Sequence, residues 1–307
     1  MKTAILFAGQ GSQKVGMGKD LYDQNETFRK VIDSINLDFD VKKLMFEGPM
    51  EELTLTRHTQ PCMAAFAAGV IAVLKEAGVK ADYYAGLSLG EYSALHAANV
   101  IKQEDFIPLV AFRGKAMEDS AKGVECGMSA VMGLDSDVLS KICEEVSATG
   151  KYVTVSNYNC TGQYVICGEK AAIEAAEAAA KEAGAKRCMP LNVSGPFHTK
   201  YMKKAGDALQ EYMKNVEFGQ MDTPVLFNTT GKMLQDGEDI KEILVQQVQS
   251  SIHMEDIIKE LETLGVDTVI EVGPGKTLSG FVKRTTTGIT SYTIETAEDL
   301  DAVLKLF

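Results

Sequence analysis

The sequence predicts an α/β fold with a parallel-rich sheet, into which a smaller unit is inserted. Three observations predict it. Short apolar runs alternate with helical stretches in the first and last thirds of the chain, the pattern of a parallel sheet covered by helices. Three of these runs end in glycine-rich loops, Gly9-Gln10-Gly11-Ser12, Gly86-Leu87-Ser88-Leu89-Gly90 and Gly273-Pro274-Gly275. Between them, residues 123–193 read strand, helix, strand, strand, helix, strand, which is the ferredoxin-like order.

The elements follow in order. Residues 3–8 are an apolar run too short for a signal peptide and read as a buried strand. Residues 59–77 are apolar nearly all round, with Pro61 near the start and Gly78 past the end, so a buried helix is expected. A strand at 82–85 turns through 86–90 into a helix at 89–98, and 103–121 form another helix. In the inserted unit, strands are expected at 127–133, 152–157, 163–167 and 186–193, with helices at 135–147 and 170–183. A helix at 200–214, a strand at 225–228, helices at 239–249 and 254–264 and a strand at 268–272 complete the reading. The expected domains are 1–122 with 194–307, and 123–193. Ligands in such sheets bind beyond the carboxyl ends of strands, so the loops bearing Ser12, Ser88 and Gly273 are expected to share one pocket.

Composition excludes several classes. The 307 residues carry 31 Lys and Arg against 43 Asp and Glu, a net charge of -12, which disfavours a general nucleic-acid surface. The six cysteines include no Cys-x-x-Cys pair and no zinc spacing, so free thiols in a cytoplasmic protein are expected. No apolar stretch has the length of a membrane span.

Chemistry concentrates at Ser88. Gly-x-Ser-x-Gly between a strand and a helix is a nucleophile elbow: small residues allow the sharp turn, and the helix N-terminus aims amide donors at a developing oxyanion. A serine nucleophile needs a base. Of His58, His96, His198 and His253, only His198 opens a helix from an irregular segment, Ser194-Gly195-Pro196-Phe197-His198. A structural histidine is the competing reading there. Arg113 falls on the apolar stripe of its helix with Phe106, Leu109, Val110 and Met117, so its guanidinium needs an anion. That anion is either a buried Asp or Glu or a substrate carboxylate. Gly273-Pro274-Gly275-Lys276-Thr277 lacks the first glycine of a phosphate-binding loop and reads as a structural turn.

Together these runs resemble the malonyl-CoA:acyl carrier protein transacylases along nearly the whole chain. Further matching runs are Gly9-Gln10-Gly11-Ser12-Gln13, Glu91-Tyr92 after the elbow, Arg113-Gly114, Asn157-Tyr158-Asn159, Gly162-Gln163, Gly195-Pro196-Phe197-His198 and Glu271-Val272-Gly273. The resemblance implies a hydrolase-like large domain with a ferredoxin-like insert. It implies Ser88 as nucleophile, His198 as base, Arg113 as the malonyl-carboxylate ligand, Gln10 and Leu89 as oxyanion N–H donors, and Gln247 as the residue whose carbonyl orients His198. The implied substrates are malonyl-CoA and holo acyl carrier protein, with no cofactor, no metal, no nucleic acid and no membrane; coenzyme A thioester enters as a substrate.

Four positions depart from the family pattern. Leu87 stands where histidine usually precedes the nucleophile, Ala8 and Thr161 replace prolines, and Ser251-Ile252-His253-Met254 replaces a Pro-Val-x-Trp run, which weakens the Gln247 assignment. Phe197 is expected to crowd a substituted α-carbon. Lys186, Arg187, Lys200, Lys203, Lys204, Lys283 and Arg284 are candidates for a basic docking face. Rival readings are a serine hydrolase, whose acid would come from the sequence between Ser88 and His198, and a non-catalytic subunit that kept the fold.

Overall fold

Five consecutive buried residues, Thr3–Phe7, form strand β1 of a computed structural model that describes residues 1–191 and 195–307. The further strands are β2 (Tyr83–Gly86), β3 (Cys126–Met132), β4 (Val153–Cys160), β5 (Gln163–Glu169), β6 (Arg187–Leu191), β7 (Ile252–His253), β8 (Thr268–Val272) and β9 (Thr290–Ile294). Among the described residues they make two sheets. One is parallel throughout, in the order β2-β1-β8-β9; the other runs β6-β3-β5-β4-β7.

Strands β1 and β8 are buried at every residue and β2 at all but its first, which is why they read as continuous apolar runs, while the edge strand β9 is partly exposed. Side chains alternate along each strand. Ile5, Phe7, Ile270 and Val272 join the larger core, built around the helix Thr56–Glu76. Ala4, Leu6 and Val269 join a second cluster with Met254, Ile257, Leu261 and Leu278 on the opposite face. Each fully buried Leu, Ile or Phe contributes roughly 1.5–3 kcal/mol.

In the second sheet β3 pairs antiparallel with β5 and β6, and β4 with β5; the helices Ser136–Ser147 and Lys170–Glu182 supply its apolar cover. Asp135 caps the first of these helices by accepting from Asp137 N–H. At its outer edge β4 pairs in parallel with β7, which belongs to the later part of the chain.

Three expectations are corrected. Residues 225–228 are not a strand. Val225 makes only an isolated bridge to Tyr84, because Pro224 has no N–H to extend the ladder and Phe227 N–H turns to Lys232 O at 2.8 Å. The long helix begins at Thr56, three residues early, with Thr59 N–H donating to Leu55 O. Beyond 272 the chain adds β9 and the helix Ala297–Leu304, whose Thr296–Asp299 capping box was legible but unread. The last two residues of the expected strand 186–193, and the proposed domain boundary at 193/194, lie outside the described residues.

Candidate active site

The site is built on a turn that only small residues permit. A Cβ on Gly86 would lie 2.1 Å from Gly90 C, and one on Gly90 would lie 2.2 Å from Phe7 O. The helix Leu89–Ala97 therefore starts in backbone contact with the strands β1 and β2. Between the glycines Ser88 takes φ 54° and ψ -105°, a conformation rare for a residue with a side chain. Gly90→Ala is expected to force helix and strand apart at a cost of roughly 1–3 kcal/mol, read as a lower midpoint in chemical denaturation; an unmoved midpoint would mean that the turn has slack.

His198 also has a positive φ, 59°, and is buried. Its Nδ1 lies 2.9 Å from the Gln247 carbonyl. A carbonyl only accepts, so Nδ1 carries the proton and Nε2 presents a lone pair. Ser88 Oγ donates to that Nε2 at 2.8 Å. Burial, and secondarily the charge of Arg113, lowers the His198 pKa from 6.5 to about 3, against the opposing bond to Gln247.

The imidazole is therefore neutral across the physiological range, with the sign of a base kept in working form. Acylation of Ser88 is expected to hold its rate from about pH 8 to about pH 5 and to fall only at more acidic pH. A single-turnover pH profile measures this; an acid limb near the ordinary imidazole value of 6.5 would contradict it.

Arg113, fully buried in the helix Gln103–Ala121, lies behind Ser88. Nη1 donates to Gln60 Oε1 at 2.7 Å, and Nη2 donates to Ser88 Oγ at 3.0 Å and to Gln247 Oε1 at 2.9 Å. Nε has no acceptor, and the ring of Tyr92 lies 5.1 Å from Cζ. All of these partners are neutral, and no carboxylate bonds to Arg113 among the described residues. Glu91, in the first turn of the elbow helix, is fully buried, and burial pushes its carboxyl up to about 8 against the pull of Asn228 N–H and Arg113. It is mostly the neutral acid at neutral pH and gives Arg113 little counter-charge.

Leu89 is the first residue of its helix, so its N–H has no intrahelical acceptor, and Gln10 N–H likewise makes no hydrogen bond among the described residues. The Gln10 side chain donates to Thr56 Oγ1 at 3.0 Å. Above Ser88 opens a cleft of about 360 Å³, lined by Gln10, Leu87, Met117, Met128, Phe197 and His198 among others. Met128 and Asn157 bring the second sheet to its wall. Gly273 does not reach this cleft, contrary to expectation: its N–H donates to Ile294 O, which ties that loop to β9.

The chain is similar to known proteins over its whole length. An acyl transferase domain model matches residues 5–299. The malonyl CoA-acyl carrier protein transacylase of Bacillus subtilis is 39% identical over 306 residues, covering 99% of this chain and 96% of that protein. The chain belongs to the malonyl CoA-acyl carrier protein transacylase family. In that family the crystal structure of MCAT from Streptococcus pneumoniae superposes with a TM-score of 0.94 at 40% identity, covering 100% of both chains. A malonyl-transacylase solved in complex with its type II PKS acyl-carrier protein superposes at 0.95 with 37% identity, again covering 100% of both.

Within this site the structure brings Ser88, His198, Arg113 and Gln247 into one hydrogen-bonded group, with Gln10 on the cleft wall and Leu89 next to Ser88 in the chain. The unusual Ser251–Met254 run does not displace Gln247, because Ile252 and His253 pair with Asn157 and Tyr158 of β4. Sequence reasoning missed Gln60, the Gln247 side chain and Asn228. Gln60 had a signal, a lone amide in an apolar helix; Asn228 had only its place at the end of an apolar run.

Proposed function

We propose that the chain transfers malonyl from malonyl-CoA to the phosphopantetheine thiol of an acyl carrier protein through a malonyl ester on Ser88, supplying fatty acid synthesis. The observation that carries this is Ser88 Oγ itself, which lies 2.8 Å from a neutral imidazole nitrogen and 3.0 Å from a buried guanidinium that has no carboxylate partner among the described residues. The relatives' activity as malonyl CoA-acyl carrier protein transacylases agrees with it.

Ser88 Oγ attacks the thioester carbon and its proton passes to His198 Nε2. The N–H groups of Gln10 and Leu89 stabilise the oxyanion. The C–S bond breaks, and coenzyme A leaves as the thiol with the proton from His198. The carrier's thiol then gives its proton to His198 and attacks the ester, and Ser88 regains its proton as the ester breaks. Every proton moves through His198, so the scheme assigns no resident cofactor or metal.

Arg113 would offer the malonyl carboxylate Nη2, in exchange for Ser88 Oγ or Gln247 Oε1, and two further N–H donors, Nε and one on Nη1, that bond to nothing among the described residues. Phe197, on the cleft wall, limits substitution at the α-carbon. The His198 Nδ1 partner is a backbone carbonyl, where a Ser-His-acid hydrolase would present a carboxylate.

We read residues 123–193 as a ferredoxin-like unit inserted in a hydrolase-like domain of 1–122 and 194–307; the strand order β6-β3-β5-β4 supports the first part. The carrier would dock on the basic candidates. Of these Lys203 is already paired with Asp207 at 2.7 Å, and Lys200 lies over the Tyr152 ring. We read the reaction as cytoplasmic, a reading that the six unpaired cysteines support, since they suit a reducing environment. No helix of the described residues is long and apolar enough to cross a membrane. The test is transfer from malonyl-CoA to holo acyl carrier protein, with the apo carrier as control. Fast malonyl-CoA hydrolysis and no carrier product would defeat the proposal.

A further inference from the structure

Asn228 is fully buried and does not line the cleft above Ser88, yet four hydrogen bonds tie it to the elbow and its surroundings. Its backbone N–H donates to Glu91 Oε2 at 2.5 Å, and its carbonyl accepts from His253 N–H at 2.8 Å. Its side chain spans the turn: Oδ1 accepts from Ser88 N–H at 2.7 Å, and Nδ2 donates to the Gly86 carbonyl at 2.7 Å. The amide orientation is unambiguous, since Ser88 N–H can only donate and the Gly86 carbonyl can only accept.

The Gly86 carbonyl belongs to the last residue of β2 and the Ser88 N–H precedes the helix that begins at Leu89, so both groups sit at the seam where regular backbone pairing stops. On the other side of the nucleophile, Gln247 Nε2 donates to Ser88 O at 2.8 Å. Both polar backbone groups of Ser88 are thus held by buried amide side chains. One planar group with a donor and an acceptor side by side is what the turn needs, and of similar-sized side chains only asparagine supplies it.

We infer that Asn228 is a positioning residue, which holds Ser88 in its strained turn so that Oγ meets His198 and which keeps the Ser88 N–H from competing for the oxyanion. The inference rests on the nucleophilic role proposed for Ser88. Glu91 belongs to the same device, since its carboxyl fixes the Asn228 backbone from the helix that follows the nucleophile.

The test reads Ser88 directly, as its rate of labelling by a fluorophosphonate, beside thermal unfolding of the same samples. Asn228→Ala is expected to label about 10²-fold more slowly while still unfolding cooperatively. Asn228→Asp keeps the acceptor for Ser88 N–H and loses the donor to Gly86, so an intermediate rate is expected. In a Ser88→Ala background, adding Asn228→Ala should leave malonyl-CoA affinity unchanged, a result that general loosening of the site would not produce. Folded Asn228→Ala labelling within about twofold of the parent rate overturns the inference. So does failure of both variants to fold, which would make Asn228 a residue of the fold alone. A parent protein that labels at Ser88 but transfers no malonyl defeats the proposed function and leaves this inference standing.

Discussion

Ser88→Ala is expected to abolish the malonyl adduct seen by intact mass spectrometry after mixing with malonyl-CoA, and to lower carrier malonylation by roughly 10⁴-fold or more. The loss should be chemical and not structural. Alanine keeps the Cβ that the φ of 54° already accommodates, and the backbone bonds to Asn228 and Gln247 do not involve Oγ. What disappears is the atom that His198 Nε2 and Arg113 Nη2 share. Malonyl-CoA binding by the variant should persist. An adduct that survives the substitution would place the acyl ester on another residue and end the present assignment.

Arg113→Ala is expected to lower malonyl kcat/KM by roughly 10²–10³ more than acetyl kcat/KM, the effect of a charge-assisted bidentate contact in a buried site. A malonyl group brings the carboxylate that the guanidinium now lacks, while an acetyl group leaves it with neutral partners only. The variant also strips Gln60 Oε1 and Gln247 Oε1 of their donor, so some stability should be lost, and rates must be compared on folded protein. Arg113→Lys should recover little malonyl activity, because an ammonium cannot reproduce the planar fork. Equal losses for both acyl groups would remove Arg113 from carboxylate recognition.

Much of the site was legible because its chemistry is written in local patterns. The elbow needs small residues at fixed spacing around the serine, and a cation on an apolar helical stripe announces itself as an anomaly. The strand 225–228 misled because Val-Leu-Phe has strand character, whereas Pro224 and the turn to Lys232 decide that the chain leaves the ladder after Leu226. The edge strand Thr290–Ile294 was unread because its alternation is polar, with Tyr292 exposed.

Ser88 in its glycine-flanked turn, the buried helices and the parallel-rich sheet follow from the sequence alone, because spacing and hydrophobic period act within a few residues. The question of Arg113's partner did not. The stripe showed that a guanidinium would be buried, but only the tertiary structure decided that Gln60, Gln247 and Ser88 surround it rather than an acid. The same holds for Asn228, 140 residues from Ser88, whose backbone it holds. A hydrogen bond depends on where two groups come to rest, and for groups that far apart in the chain the packing of the whole sheet sets that position.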